Sequence, residues 1–242
     1  MKWRRGKQDE ERTVELIATV SHEIRSPLTT IKGFTKTLLD RWDRLTDETK
    51  LDMLRAIDAD ADRVTRILTE LLDVSRLEAG TLTLHRRPID VCALASEVVG
   101  HLEARSDKHQ VGLSSAGAVE VLGDPDKLRQ VLTNFIENAQ KYTDGGAITV
   151  ACLSNNGWGE IRVSDEGEGV AGGLAPDIFE KFSRREIPGS PSGTGLGLYI
   201  CKGLVEAHGG EIGAEENTSG TGSTFWFRIP TPAAAPVSTT GE

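Results

Sequence analysis

The sequence has 242 residues, of which 38% are hydrophobic and 27% charged, as in an ordinary globular protein with enough chain for one large or two modest domains. Its formal net charge of -9 argues against a nucleic-acid-binding surface, because such surfaces are basic. The three cysteines lie far apart without the spacing of a zinc site or a disulfide framework, so we expect reduced thiols and a cytoplasmic location. No apolar run reaches the roughly 18 residues that a membrane span needs. The basic first seven residues fit either the flank of a span in a membrane-anchored full-length protein or a charged tail.

Two long amphipathic helices are predicted in the first third of the chain. From about Thr13 to Leu39, apolar residues recur every three or four positions, which is the pattern of a helix with one apolar stripe. After a short break, the same spacing continues from Asp47 to about Ala79. Two such helices joined by a turn form an antiparallel hairpin, and a lone hairpin cannot bury both stripes. We therefore expect residues 13–80 to pair with a second copy as a four-helix bundle, with residues 1–12 as a linker.

One stretch of the first helix has an unusual composition. His22 and Glu23 stand side by side off the apolar stripe, and Pro27 follows within the same helix. A proline cannot donate a backbone hydrogen bond, and its ring crowds the carbonyl of Glu23, so we expect local strain or a bend. A surface histidine on a core helix that contains a proline would produce the same pattern.

Beyond Gly80 the periodicity alternates between strands and helices. The predicted strands are 81–84, 111–113, 119–122, 147–150, 160–163, 211–214 and 223–229, and the predicted helices are 91–102, 125–142 and 198–207. This order predicts an α+β domain over residues 81–230, with helices that cover one face of a mixed sheet. A long Gly/Pro/Ser-rich loop at about 171–195 is a candidate lid, and the composition of residues 231–242 is typical of a disordered tail.

The helix at 125–142 carries a polar cluster. Asn134, Asn138 and Lys141 are four and three residues apart, so they share one face of the helix. Amide oxygens suit Mg²⁺, and an ammonium suits phosphate. A solvated helix face would look the same.

Two glycine-rich segments are candidate nucleotide contacts. Asp165-Glu-Gly167-Glu-Gly169 ends a predicted strand, where glycines permit a close approach and a carboxylate can accept a hydrogen bond from a ligand amine. Gly193-Thr-Gly195-Leu-Gly197 opens a predicted helix, whose N-terminal N–H groups attract anions. Taken alone, the first also fits a plain turn, and the second is a weak motif.

Together, these segments resemble the catalytic core of a sensor histidine kinase from two-component signalling. The motifs in chain order are a phosphoacceptor box at 22–28, an asparagine box at 134–142, glycine boxes at 165–169 and 193–198, a phenylalanine box at 178–182 and a closing glycine segment at 220–225. The resemblance extends from Thr13 to Pro230. It implies a helical hairpin that dimerises into a four-helix bundle, followed by an α+β ATP-binding domain (an α/β sandwich with a mixed sheet) of the type shared by gyrase B, heat-shock chaperones and histidine kinases.

The resemblance also implies roles for individual residues. His22 would attack the γ-phosphate of ATP, Glu23 would take the proton that the ring loses, and the phosphoryl group would pass to an aspartate of a response regulator. The implied ATP-binding residues are Asn134, Asn138, Lys141, Tyr142, Asp165, Gly167, Gly169, Arg184, Gly193, Thr194, Gly195, Leu196 and Gly197, with Asn138 as the ligand of Mg²⁺. The implied partners are a second copy of the chain, a response-regulator receiver domain, and an upstream sensor domain outside this chain.

Some residues depart from the family pattern or leave alternatives open. Ser26 stands where members with phosphatase activity carry Thr or Asn, so phosphatase activity stays an open question. ATPases with the same fold carry a glutamate at the position of Asn134, and an amide cannot act as a base. The alternatives are a nucleotide-binding signalling scaffold without kinase activity and an ATPase clamp.

Overall fold

The computed structural model describes residues 2–103, 108–115, 117–167, 176–181, 183, 194–217 and 221–232. The chain forms two compact units. The first contains Met1–Glu78 together with Ser192–Leu196, and the second contains Ala79–Pro191 and Gly197–Glu242. Among the described residues, none of the helices has both the length and the apolar composition needed to cross a bilayer.

The first unit is built on a hairpin of two long helices. Helix α1 spans Lys2–Arg41 and helix α2 spans Asp47–Glu78, with a short 3₁₀ turn at Trp42–Arg44. The hydroxyl of Thr46 accepts the backbone N–H of Thr49 at 3.2 Å and thereby caps the start of α2. Where the two helices pack, the buried apolar residues are Val20, Leu38, Ile67 and Val74. The hairpin prediction is therefore correct, although α1 begins well before Thr13 and includes most of the residues that we expected to be a linker.

The second unit contains a mixed five-stranded sheet. The strands are β2 (His109–Ser115), β4 (Gly146–Asn155), β5 (Trp158–Ser164), β6 (Glu211–Glu216) and β7 (Ser223–Pro230). Their order is β2-β4-β5-β7-β6, with β2 parallel to β4 and the other pairs antiparallel. A separate two-stranded sheet pairs β1 (Arg87–Asp90) with β3 (Glu120–Gly123).

One strand prediction is wrong. Residues 81–84 form no strand, and β1 lies instead at Arg87–Asp90. The sequence of β1 contains Pro88 and an exposed arginine, so it lacks the alternation of apolar residues that predicts a strand. A proline is tolerated there because β1 has a single strand partner, and a proline on an edge strand removes no ladder hydrogen bond.

Helices α3 (Val91–Glu103), α4 (Pro125–Tyr142) and α5 (Gly197–Ala207) complete the second unit. The apolar stripe of α4 is fully buried, and Phe135 lies with its ring centroid 5.6 Å from that of Phe225 and 6.0 Å from that of Phe227. Contacts between helix and strand aromatics of this kind form the core. The opposite face of α4, which carries the polar cluster, is left available for the site, so the predicted α+β architecture is confirmed.

Candidate active site

The start of α4 is fixed by a buried aspartate. The carboxylate of Asp124 accepts hydrogen bonds from the backbone N–H groups of His85, Asp126 and Lys127 at 2.8, 3.1 and 3.3 Å. Burial alone would raise the pKa of Asp124, but these hydrogen bonds and the nearby His208 lower it below the usual 3.8. The ionised carboxylate also complements the positive end of the helix dipole. Asp124 therefore anchors the helix from which the asparagine cluster projects.

A buried histidine completes this anchor. His208 accepts the backbone N–H of Asp124 at its Nε2 (2.9 Å) and contacts the Leu204 carbonyl through Nδ1 (2.7 Å). A ring that accepts at one nitrogen and donates at the other is neutral. Burial lowers the pKa of His208 below 6.5, and the charge of Arg86 adds to this effect. The ring thus ties the end of α5 to the start of α4.

The asparagines of α4 form a linked pair of amides. The Nδ2 group of Asn138 donates to Oδ1 of Asn134 at 2.9 Å, which leaves Oδ1 of Asn138 as an acceptor for a ligand. Both side chains are half-buried. At the C-terminal end of the same helix, the ammonium of Lys141 lies 5.1 Å from the ring centroid of Tyr142. The predicted face of amides and ammonium is therefore present on one side of α4.

The second glycine box meets this amide pair at its last glycine. A Cβ placed on Gly197 would lie 2.3 Å from Nδ2 and 3.0 Å from Oδ1 of Asn134. No side chain larger than hydrogen fits there unless Asn134 moves. The first residue of α5 is therefore packed directly against the amide that orients Asn138.

Asp165 lies at the end of β5 with its carboxylate held on one side. Its Oδ1 accepts the backbone N–H of Gly167 at 2.9 Å and that of Ser223 at 3.4 Å, and its own N–H donates to the Ser223 carbonyl at 2.9 Å. Within the described residues, Oδ2 accepts no hydrogen bond. Asp165 is 7% exposed, and an ionised carboxylate oxygen such as its Oδ2 can accept a hydrogen bond from a ligand amine.

Gly167 and Thr143 lie close to Asp165, and we refer to these three residues as the adenine cradle. A Cβ on Gly167 would lie 2.7 Å from the Tyr142 carbonyl, 2.9 Å from Oγ1 of Thr143 and 3.0 Å from Oδ1 of Asp165. Thr143 is 6% exposed, and its hydroxyl has no hydrogen-bond partner among the described residues. A carboxylate oxygen can accept the hydrogen bond of an adenine amine, and a hydroxyl can donate to or accept from a ligand. The described residues therefore fit the adenine of ATP, and the amide oxygen of Asn138 fits Mg²⁺.

The phosphoacceptor segment lies on α1 in the first unit. His22 and Ser26 are exposed, whereas Glu23 is 5% exposed, and its Oε2 accepts a hydrogen bond from Arg63 of α2 at 2.8 Å. The prediction that Glu23 lies off the buried side of the helix is therefore wrong. Its burial is tolerated because Arg63 pairs with its charge. Helix α1 continues through Pro27, which is buried.

Thr194, Gly195 and Leu196 are grouped with the first unit. The hydroxyl of Thr194 donates to Oε2 of Glu70 at 2.7 Å and accepts the backbone N–H of Leu196 at 3.2 Å. Gly195 has a φ of 68°, which favours glycine. Nothing in the sequence pattern indicated Glu70 as a partner of this segment.

Three predicted site residues, Gly169, Arg184 and Gly193, lie outside the described residues. Conversely, the sequence pattern did not indicate Thr143, Arg63 or Asn217. Arg63 contacts Glu23, Asn217 contacts Asp165, and Thr143 belongs to the adenine cradle. For Arg63 and Asn217 no sequence signal exists, because their partners are distant along the chain. Thr143 directly follows the asparagine box, and its position there is the one available signal.

Comparisons with known proteins agree with this geometry. The sequence profile of the "His Kinase A (phospho-acceptor) domain" matches residues 13–80, and that of the "Histidine kinase-, DNA gyrase B-, and HSP90-like ATPase" matches residues 123–233. The sensor protein GacS of Pseudomonas syringae pv. syringae is 37% identical over 231 residues, which are 91% of this chain and 25% of GacS. The chain thus spans about a quarter of the length of that curated relative.

Solved structures show the same fold. Full-length ShkA in complex with AMPPNP is 31% identical, with a TM-score of 0.64 over 92% of this chain and 47% of ShkA. The histidine kinase ThkA in complex with the response regulator protein TrrA is 26% identical, with a TM-score of 0.59 over 95% of this chain and 66% of that chain. The chain therefore belongs to the protein-histidine kinases and carries the phosphoacceptor and ATP-binding parts of a sensor histidine kinase catalytic core.

Proposed function

We propose that this chain transfers the γ-phosphoryl group of ATP to His22 and then to an aspartate of a response regulator. The observation that carries the proposal is the adenine cradle at Asp165. One carboxylate oxygen of Asp165 is held by backbone N–H groups, and the other has no hydrogen-bond partner among the described residues. The hydroxyl of Thr143, which also has no partner among them, lies close to Gly167. The same chain carries an exposed histidine next to an acid. A nucleotide site and a nucleophile in one chain are the two parts that such a transfer needs.

In the proposed reaction His22 is the nucleophile, ADP is the leaving group and Glu23 is the proton acceptor. A neutral nitrogen of His22 forms the bond to the γ-phosphorus, while the bond from that phosphorus to the bridging oxygen breaks and ADP leaves. The other ring nitrogen then gives up its proton, for which Glu23 is the acceptor. In the described structure the carboxylate of Glu23 is bound by Arg63. We therefore expect this contact to loosen before Glu23 serves as a base, because a base must reach the proton that it takes.

Mg²⁺ supplies neutralisation of the phosphate charges when it is bound. Asn138 would hold it through Oδ1, since its Nδ2 is engaged by Asn134. Lys141, at the C-terminal end of the same helix, would bind phosphate, and Tyr142 would contact the ribose. Gly169 stays a candidate for the approach of the adenine base. Arg184 and Gly193 stay candidate lid residues, and Thr194 to Gly197 would complete that lid. An amide at Asn134 cannot activate water as a carboxylate would, which disfavours an ATPase clamp.

We also propose that the hairpin pairs with a second copy of the chain. Six leucines that the hairpin leaves 46–79% exposed support this, namely Leu28, Leu39, Leu51, Leu54, Leu68 and Leu72. An exposed apolar row on both helices is what a four-helix bundle buries between two hairpins.

A receiver domain of a response regulator is the proposed second partner, as TrrA is for ThkA. Helix α1, which carries His22, also carries the basic residues Arg25, Lys32 and Lys36. Basic side chains suit a partner whose phosphate-accepting site is acidic. Because Ser26 is exposed and carries a hydroxyl, it is also available to orient a water for dephosphorylation.

Reduced, buried cysteines and the use of ATP fit a cytoplasmic reaction.

The test is incubation of the purified chain with γ-labelled ATP and Mg²⁺. We expect label that is acid-labile and alkali-stable, lost in His22→Gln and in Asn138→Ala. His22→Gln should still bind ATP in an Mg²⁺-dependent manner, whereas ATP binding by Asn138→Ala should not depend on Mg²⁺. His101→Gln is the matched control, because His101 is an exposed histidine on α3, and it should label like the unmodified chain. Label that persists in His22→Gln would refute the assignment of the phosphoacceptor.

A further inference from the structure

We propose that Asn217 is a positioning residue that orients Asp165 toward the nucleotide base. This inference rests on the proposed role of Asp165 as the acceptor for the adenine amine. Asn217 follows strand β6, and its Nδ2 group donates to the backbone carbonyl of Asp165 at 2.6 Å. The two residues are 52 positions apart, and strand β7 lies between β5 and β6 in the sheet. The amide side chain therefore ties the ends of separate strands together at the adenine cradle.

Asn217 is itself held at both ends of its amide. Nδ2 also donates to the Thr221 carbonyl at 3.0 Å, and Oδ1 accepts the hydroxyl of Thr224 at 2.6 Å. The hydroxyl of Thr224 in turn shares a hydrogen bond with Ser164 at 2.7 Å. With its oxygen facing a hydroxyl donor and its nitrogen facing two carbonyls, the amide has one allowed orientation. A side chain fixed in this way transmits its position to the groups it contacts.

Gly222 closes the arrangement from the other side. A Cβ on Gly222 would lie 1.9 Å from the Asp165 carbonyl oxygen and 2.7 Å from Nδ2 of Asn217, and its φ is +83°. Only glycine allows so close an approach with that backbone conformation. Gly222 therefore lets the backbone before β7 come close to Asp165, where the amide of Asn217 reaches its carbonyl.

The consequence is that every backbone group of Asp165 is fixed. Its N–H donates to the Ser223 carbonyl at 2.9 Å, its carbonyl accepts from Asn217, and its Oδ1 accepts from Gly167 and Ser223. Rotation of the side chain is then restricted, and Oδ2 keeps one direction. A hydrogen-bond acceptor discriminates well between a base that carries an amine and one that lacks it only when the acceptor is held in place. A mobile acceptor can find another partner. Asn217 thus acts on base recognition through Asp165, without touching the base itself.

The test compares the binding of ATP with that of purine riboside triphosphate, which lacks the 6-amino group. Each nucleotide is titrated into the protein in the presence of Mg²⁺ and followed by calorimetry. The readout is the ratio of the two dissociation constants in the full chain. Asp165→Ala removes the acceptor and should reduce the preference for ATP by about ten-fold or more. Asn217→Asp keeps the shape and the acceptor but removes both donors, and should reduce the preference by about three- to ten-fold. A merely structural role would weaken both nucleotides equally.

Three further variants keep the outcome clear. Thr224→Val removes the hydrogen bond to Oδ1 of Asn217 within a strand that tolerates valine, and should reduce the preference by about two- to three-fold. Asn217→Asp added to Asp165→Ala should cause no further loss of preference. Asn155→Asp, an exposed asparagine in the β4–β5 hairpin, should leave both affinities unchanged.

The results separate two failures. If Asp165→Ala leaves the preference for ATP intact, the proposed role of Asp165 is wrong, and the inference about Asn217 falls with it. If Asp165→Ala abolishes the preference while both Asn217→Asp and Thr224→Val retain it, the proposed function stands and Asn217 is not a positioning residue. An equal loss of affinity for both nucleotides in Asn217→Asp would also overturn the inference.

Discussion

Replacing Gly197 with alanine should damage the metal end of the nucleotide site through a single steric contact. The new Cβ would lie 2.3 Å from Nδ2 of Asn134, whereas ordinary contacts begin at 3.4 Å. The amide must therefore retreat by about 1.1 Å. Its hydrogen bond with Asn138, which measures 2.9 Å, cannot keep its geometry after such a shift.

The size of the effect follows from these distances. Overpacking of this kind costs about 1–3 kcal/mol of unfolding free energy. A displacement of about 1 Å in a catalytic arrangement can cost about 100-fold in rate. We therefore expect Gly197→Ala to lower the autophosphorylation rate by roughly 10- to 100-fold and to raise the Mg²⁺ concentration needed for half-maximal rate.

The assay is the initial rate of label incorporation from γ-labelled ATP across a Mg²⁺ titration, with thermal unfolding measured in parallel. In an Asn134→Ala background the obstructing amide is absent, so Gly197→Ala should change the rate by less than about two-fold. Gly100→Ala is the control: its Cβ would meet nothing within 4 Å on an exposed part of α3, and it should stabilise the fold by about 0.5–1 kcal/mol. A normal rate and normal Mg²⁺ dependence in Gly197→Ala would refute the argument.

Three further outcomes are expected. Arg63→Gln removes the ion pair that Arg63 forms with the buried carboxylate of Glu23, so the unfolding free energy in urea should fall by about 2 kcal/mol. This loss should shrink below about 0.5 kcal/mol in a Glu23→Gln background. The lowered pKa of His208 means that its stabilisation is complete above pH 6.5 and is lost as the pH falls below that value. The stabilisation contributed by Asp124 is present above pH 3.8 and is lost as the pH falls through its lowered pKa. Unfolding free energies from pH 7 to 3 should show both steps, and His208→Asn should lack the first. Burial and the adjacent Cys92 thiol raise the pKa of Cys152 to about 12, so alkylation at pH 8 should modify it only after unfolding, and rapid labelling of the native protein would contradict this.

The long helices were predictable because their information is local. A repeat of apolar residues every three or four positions marks one apolar side of each helix, and Val20, Leu38 and Val74 of that repeat are buried. The start of α1 was not predictable, because residues 2–12 are mostly charged and show no apolar stripe. The strand β1 was missed for a similar reason, since Pro88 and its charged neighbours do not alternate.

The polar face of α4 was also predictable from local spacing. Residues four and three apart share a face of any helix, so Asn134, Asn138 and Lys141 could be grouped without a structure. What could not be predicted is how these groups are oriented. The contact of Asn134 with Gly197 and that of Asn217 with Asp165 join residues more than 50 positions apart. Such contacts follow from strand order and packing, which leave no trace in a single sequence.

The phosphoacceptor helix shows how local and distant features combine. Pro27 has no N–H to donate to the Glu23 carbonyl, so the backbone ladder of α1 is weakened at that residue. The side chain of Glu23 is bound across the hairpin by Arg63. A helix that lacks one backbone hydrogen bond bends more readily there, and the ion pair opposes any bend that moves Glu23 away from α2. The proline and the arginine therefore act on one residue in opposite senses, and the freedom of the acid beside His22 depends on their balance.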